Sequence, residues 1–262
     1  MPVAILPPVF VPKIWGSTQL EPWYRDAPER IGEVWYPLGT LLIKFLFTTE
    51  NLSVQVHPGD EYAAQHHASR GKTEMWHILR AAPDAAVAVG FRGELGSPQQ
   101  LLEASESGRI MDLMQWSPAR PGDTFFIPAG TVHAIGAGLA LCEIQQNSDV
   151  TYRLYDYGRD RELHLAHGVN VAHLGRHSGA ARPVKLADGR VRLVECQYFH
   201  TDALEVHGAA RIADRVDAVV VIEGQVDIAG TPAQAGAVAK VSGETELRLR
   251  SERGARLLLA ST

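Results

Sequence analysis

Cysteine is nearly absent from this chain of 262 residues: Cys142 and Cys196 are the only two, and they form no CxxC pair. That excludes a disulfide framework or a thiolate zinc knuckle as the organising device and leaves two reduced thiols as the expectation. Positive charge is also short. The net charge is −5, so no overall field draws the chain to nucleic acid or to an anionic membrane. No apolar run approaches the roughly 20 residues of a membrane span. The opening MPVAILPPVFVPK is apolar, but it lacks a basic start and carries Pro2, Pro7, Pro8 and Pro12. Prolines at that density break the helix that a secretory leader needs. The expectation is a soluble, cytoplasmic protein; oligomeric state leaves no mark in the sequence.

What is present is ordinary folded composition, 45% hydrophobic and 21% charged, enough for one large or two small cores. Most apolar stretches are short, rich in Val, Ile, Leu and Phe, and bounded by Gly, Pro, Asp or Asn. They are 41–47, 52–57, 73–79, 85–91, 123–127, 139–145 and 191–199. Short strands at that spacing argue for a β-sandwich or barrel. Residues 97–116 read as helix, with a Ser cap and Pro at the first helical position, broken near Gly108. A second short helix is expected from Asp60. Residues 160–182 read as an irregular crossover. Residues 183–262 look like a weaker echo of the first half: VVVIEGQVDIAG then AGAVAKV resembles the pattern around GDTFFIPAG. The last histidine is His207, so this echo is expected to hold no metal ligands. The organisation expected is thus a barrel over 1–160 with a helical insertion near 97–116, a crossover at 161–182, and a second β unit over 183–262.

Four constellations carry chemistry. Gln55 and His57 share one strand face, and Pro58 ends the ladder after them. Lys72, Glu74 and Trp76 share a face of the next strand; a rim salt bridge is the plain reading, a metal-ligating Glu74 with Lys72 facing an anionic substrate the functional one. Gly122–His133 has the spacing G-x5-P-x-G-x2-H, in which the Pro-Gly turn delivers His133 onto the following strand. Residues 143–159 set arginines among tyrosines and amides, a surface suited to a sugar and a phosphate.

The third constellation resembles the second motif of the cupin superfamily. IWGSTQL, IGEVWYP, LLIKFL, LSVQVHPGDEYA, GKTEMW and GDTFFIPAGTVHAIGAGLALCEIQQNSDVTYRLYDYGR, in that order, resemble the short bacterial form of class I mannose-6-phosphate isomerase. The likeness covers residues 10–160 and is densest at 51–79 and 121–159. It implies a mainly β, cupin-type jelly-roll barrel with a smaller second cupin-like unit, and a metal-dependent aldose–ketose isomerase of carbohydrate metabolism. It implies Zn2+, one per chain, with another divalent ion as the alternative, held by Gln55, His57, Glu74 and His133. It places the catalytic arginine on Arg153 and the site lysine on Lys72. Lys72, Asp149, Arg153 and Trp15 are the expected substrate-binding residues, for a small sugar phosphate. Glu61, four residues after His57, competes with Glu74 as the carboxylate ligand, but Pro58 and Gly59 intervene and Glu74 is preferred; His66 and His67 read as helix-surface residues near the rim.

Without thiolate ligands, this donor set suits a Lewis-acid site with open positions. Isomerising mannose 6-phosphate and fructose 6-phosphate moves a proton between C1 and C2 through an enediol, and a cation and an arginine would stabilise the charge that develops. The base is not identified by the sequence. The stretch between Trp35 and Lys44 is shorter than the family usually shows, which leaves open another sugar or sugar phosphate on the same site. A non-catalytic sugar-binding sensor is the reading from another class.

Overall fold

The computed structural model describes residues 3–177, 179–243 and 246–262. Three antiparallel sheets make up most of the molecule. A six-stranded sheet runs in the order Val9–Ser17, Ile31–Leu38, Leu41–Phe47, Leu139–Gln146, Glu74–Ala81, Thr124–Ile127. A five-stranded sheet runs Tyr152–Tyr155, Val54–Val56, His133–Ile135, Ala86–Phe91, Met114–Pro118. These two enclose an apolar layer that includes Trp15, Leu46, Trp76, Val87, Phe125 and Ile135.

The third sheet holds the C-terminal strands, among them His200–Ile212, Ala218–Ile228 and Leu247–Ser261. It packs behind the six-stranded sheet. Alternate residues of the central strands face opposite ways, so Ile43, Phe45, Cys142, Ile144 and Met75 meet Leu193, Phe199, Val220 and Leu258 in one buried cluster. The strand Val3–Ile5 pairs with Val238–Val241 of this third sheet rather than with the sheets that follow it in sequence.

The mainly β architecture is as expected, and so is the helix Asp60–His67. Ser97 caps the helix Pro98–Glu106 by accepting from the Gln100 N–H at 3.2 Å. Two helical expectations need correction. Residues 114–116 belong to the strand Met114–Pro118, because after Gly108 (φ +76°) only the single turn Ile110–Leu113 remains helical. The crossover contains a helix, Leu165–Val171. Packing holds it: a Cβ on Gly168 would lie 2.5 Å from Leu154 Cδ2.

The short stretch between Trp35 and Lys44 is a tight hairpin. Leu38 pairs with Leu41 across a two-residue turn, and Gly39 takes φ +58° there, which the missing side chain permits.

Candidate metal centre and active site

Register across the two facing sheets assembles the site. In the five-stranded sheet, Gln55 lies opposite His133 on one side and Arg153 on the other. In the six-stranded sheet, one continuous row reads Trp35, Lys44, Glu143, Trp76, Phe125. Glu74 opens its strand opposite Gln145 and Ile127. Between the sheets lies a cavity of about 310 Å³. Every residue expected from the sequence lines it: Trp15, Gln55, His57, Lys72, Glu74, His133, Asp149 and Arg153.

His57, Glu74 and His133 converge most closely, each buried, with their donor atoms within 4.8 Å of one another. His57 Nε2 and His133 Nε2 lie 3.5 and 3.6 Å from the two Glu74 oxygens. A backbone carbonyl can only accept, so the partners of the other ring nitrogens fix the tautomers. His57 Nδ1 donates to the Val150 carbonyl at 3.1 Å, and His133 Nδ1 donates to the Thr131 carbonyl at 2.9 Å. Each Nε2 therefore keeps its lone pair free of a proton, close beside Glu74. Burial holds His57 well below the ordinary histidine range and pushes His133 down to about 4. Both are neutral at pH 7, the state a metal ligand needs. The Gln55 amide nitrogen donates to Ser53 Oγ at 3.0 Å, which leaves its oxygen as the atom it can offer a cation. Two neutral imidazoles, a carboxylate and an amide oxygen suit Zn2+ or a similar divalent ion.

The expected Lys72–Glu74–Trp76 face exists and reaches further than the sequence indicated. The Lys72 ammonium pairs with Glu74, donates to His57 Nε2 at 3.0 Å, and lies 3.7 Å from Glu143. Burial alone would lower its pKa, but Glu143 and Glu74 outweigh burial and raise it. Trp76 Nε1 bridges the two carboxylates, at 3.0 Å from Glu74 and 3.1 Å from Glu143. Burial and the Glu143 charge lift Glu74 to about 7. Burial opposes ionisation of Glu143 too, but Lys72 and Lys44 hold it below the usual carboxylate range.

Sequence reasoning missed Lys44 and Glu33, and passed over Glu143 individually. Lys44 Nζ lies 3.3 Å from Glu143 and 3.8 Å from Glu33, and Glu33 lies 3.5 Å from Lys13. A signal existed: LLIKFLF and LALCEIQQ each carry one charge inside a wholly buried strand. A buried charge needs a partner, and each of these is the other's. Arg161, also on the cavity wall, was absorbed into the crossover.

Trp15 is 3% exposed and contributes a wall, while Asp149 is exposed at the rim. Glu61 lies on the helix Asp60–His67, outside the cluster, and its neighbours His66 and His67 are exposed. Arg153 Nη1 donates to the Glu162 carbonyl at 2.5 Å, whereas among the described residues its buried Nε has no hydrogen-bond partner.

No family model matches the chain. Mannose-6-phosphate isomerase ManA of Bacillus subtilis is 33% identical to it, over 83% of this chain and 84% of that protein. The chain belongs to the mannose-6-phosphate isomerase family. A crystal structure of mannose 6-phosphate isomerase from Bacillus subtilis superposes with a TM-score of 0.86 at 27% identity, covering 98% of this chain and 99% of that one. A zinc-bound mannose 6-phosphate isomerase shares the fold at 15% identity, with a TM-score of 0.79 and 99% of each chain covered. Among the described residues, no helix is long and apolar enough to cross a membrane.

Proposed function

We propose that this chain interconverts mannose 6-phosphate and fructose 6-phosphate with Zn2+ held by His57, Glu74, His133 and Gln55. The observation that carries the reading is the convergence of two tautomer-fixed imidazoles and a carboxylate on one point of a cavity that Arg153 also lines. Membership of the isomerase family supports it. Zn2+ bound there would act as a Lewis acid toward the sugar's oxygens.

The protein's own groups divide the remaining work. Glu143 is the proposed base: buried and ionised, held through Oε2 by Trp76, with Oε1 3.3 Å from the Lys44 ammonium and 3.7 Å from that of Lys72. It takes the proton from C2 of the open-chain aldose and returns it to C1. Lys72, kept protonated by the two carboxylates, assists the matching hydroxyl proton shift from O2 to O1. Arg153, with its Nε unpaired, faces the charge that builds on the enediol and so stabilises the transition state more than the ground state. Trp15 and Asp149 bound the sugar's seat.

The decisive experiment is an assay of mannose 6-phosphate conversion before and after chelation, with zinc added back. Activity should vanish and return. A zinc-replete protein that turns over neither sugar phosphate, or that prefers an unphosphorylated aldose, would overturn the reading. Arg153→Ala should lose roughly a hundredfold or more in kcat with zinc retained.

A further inference from the structure

Among the described residues, the strand Tyr152–Tyr155 is the edge of its sheet and pairs with Val54–Val56 on one side only. The backbone groups of an edge strand that point outward need partners from elsewhere. At Arg153 both partners come from a single residue. The His164 N–H donates to the Arg153 carbonyl at 2.8 Å, and the Arg153 N–H donates to His164 Nδ1 at 3.2 Å. This is the two-bond pattern of an antiparallel bridge, with an imidazole nitrogen standing in for one carbonyl. It extends a row that crosses the site: Val89, His133, Gln55, Arg153, His164.

The same loop holds the guanidinium, through the Glu162 carbonyl. The loop is itself pinned at two other places. Arg161 forks onto the buried Asp156 with both bonds at 2.6 Å, and Arg159 Nη2 donates to the Asn51 carbonyl at 2.6 Å. A loop pinned at Arg159 and Arg161, just before the two residues that bond Arg153, can set where that side chain points.

From this geometry we infer that His164, as the Nε2–H tautomer, is a positioning residue that fixes Arg153 at the mouth of the metal site. An imidazolium has no lone pair to accept the Arg153 N–H, so the role belongs to the neutral ring. Burial, and after it the Arg153 cation, lower the His164 pKa; Glu162 opposes this, and His167 and His67 add to it. The inference rests on the role proposed above for Arg153.

The test compares His164→Ala with His164→Asn, because a carboxamide oxygen can accept the Arg153 N–H in the place of Nδ1. The alanine variant should lose roughly tenfold in kcat/KM, chiefly through kcat, with zinc content unchanged. The asparagine variant should recover to within about threefold of the wild type. An unimpaired alanine variant, an effect confined to KM, or an asparagine variant as impaired as alanine would overturn the inference. Ring 15N shifts of His164 supply a readout that needs no turnover: the Nε2–H tautomer is expected, and Nδ1–H would overturn it. A wild-type protein without isomerase activity sinks the proposed function, while the ring shifts still decide the geometry of His164.

Discussion

Glu143 and Lys44 face each other from neighbouring strands, at 3% and 6% exposure, so little water screens them. Glu143→Gln should cut kcat by roughly 10²- to 10⁴-fold while zinc stays bound, because the amide keeps the shape and loses the basicity. Near-normal turnover with metal in place would remove Glu143 as the base. Lys44→Met should cost stability instead, about 3–5 kcal/mol, by leaving Glu143 and Glu33 short of a counter-charge. Urea titration measures this, and adding Glu143→Leu should recover part of the loss. His77 carries a pH dependence of its own. Burial pushes its pKa down to about 4, and its Nδ1 lies 2.9 Å from Thr124 Oγ1. A depressed histidine favours the fold above its unfolded value near 6.5 and loses that advantage as pH falls through 4. Stability should thus decline between pH 6.5 and 4 by up to about 1.4 kcal/mol per pH unit from this group. A His77→Gln variant should show a shallower acid slope, and an unchanged slope would clear His77 of the effect.

At the scale of elements, the segment that delivers Lys72 and Glu74 rests directly on the turn that follows His57. A Cβ on Gly71 would come within 2.6 Å of the Gly59 carbonyl carbon and the Asp60 nitrogen, and the Lys72 N–H bonds to the Pro58 carbonyl at 3.0 Å. Gly71→Ala should pry these two pieces of the site apart. Zinc affinity is expected to fall roughly tenfold or more with the fold retained, read by competition with a chromogenic chelator. The strands around this point were legible because their ends carry turn residues and their interiors alternate or run wholly apolar. Gln55, His57, Glu74 and His133 were legible as one candidate set only with the family resemblance, since they come from separate stretches of the chain and spacing joins only Gln55 to His57. The helix Leu165–Val171 was not legible: His164 gives it no side-chain cap, Gly168 sits inside it, and contact with Leu154 holds it. Lys44 and Glu33 escaped for a different reason. Glu143 lies far from Lys44 along the chain, and Glu33, on the adjoining hairpin strand, meets Lys44 on a diagonal that only the strand register shows.

Taken whole, the molecule ties its two halves through one buried cluster, to which Phe45, Met75 and Ile144 contribute from one side and Phe199, Val220 and Leu258 from the other. Thermal unfolding followed at the metal site and over the C-terminal strands should therefore give coincident transitions. Two separated midpoints would show that the halves melt independently. The strand that presents Glu143 to the cavity turns Cys142 and Ile144 toward that cluster. The C-terminal sheet thus acts as a buttress behind the cavity wall that carries Glu143. Substitutions such as Val220→Ala, made on the far side of that wall, should loosen the grip on zinc before they unfold the protein, so tuning of metal retention need not start at the ligands.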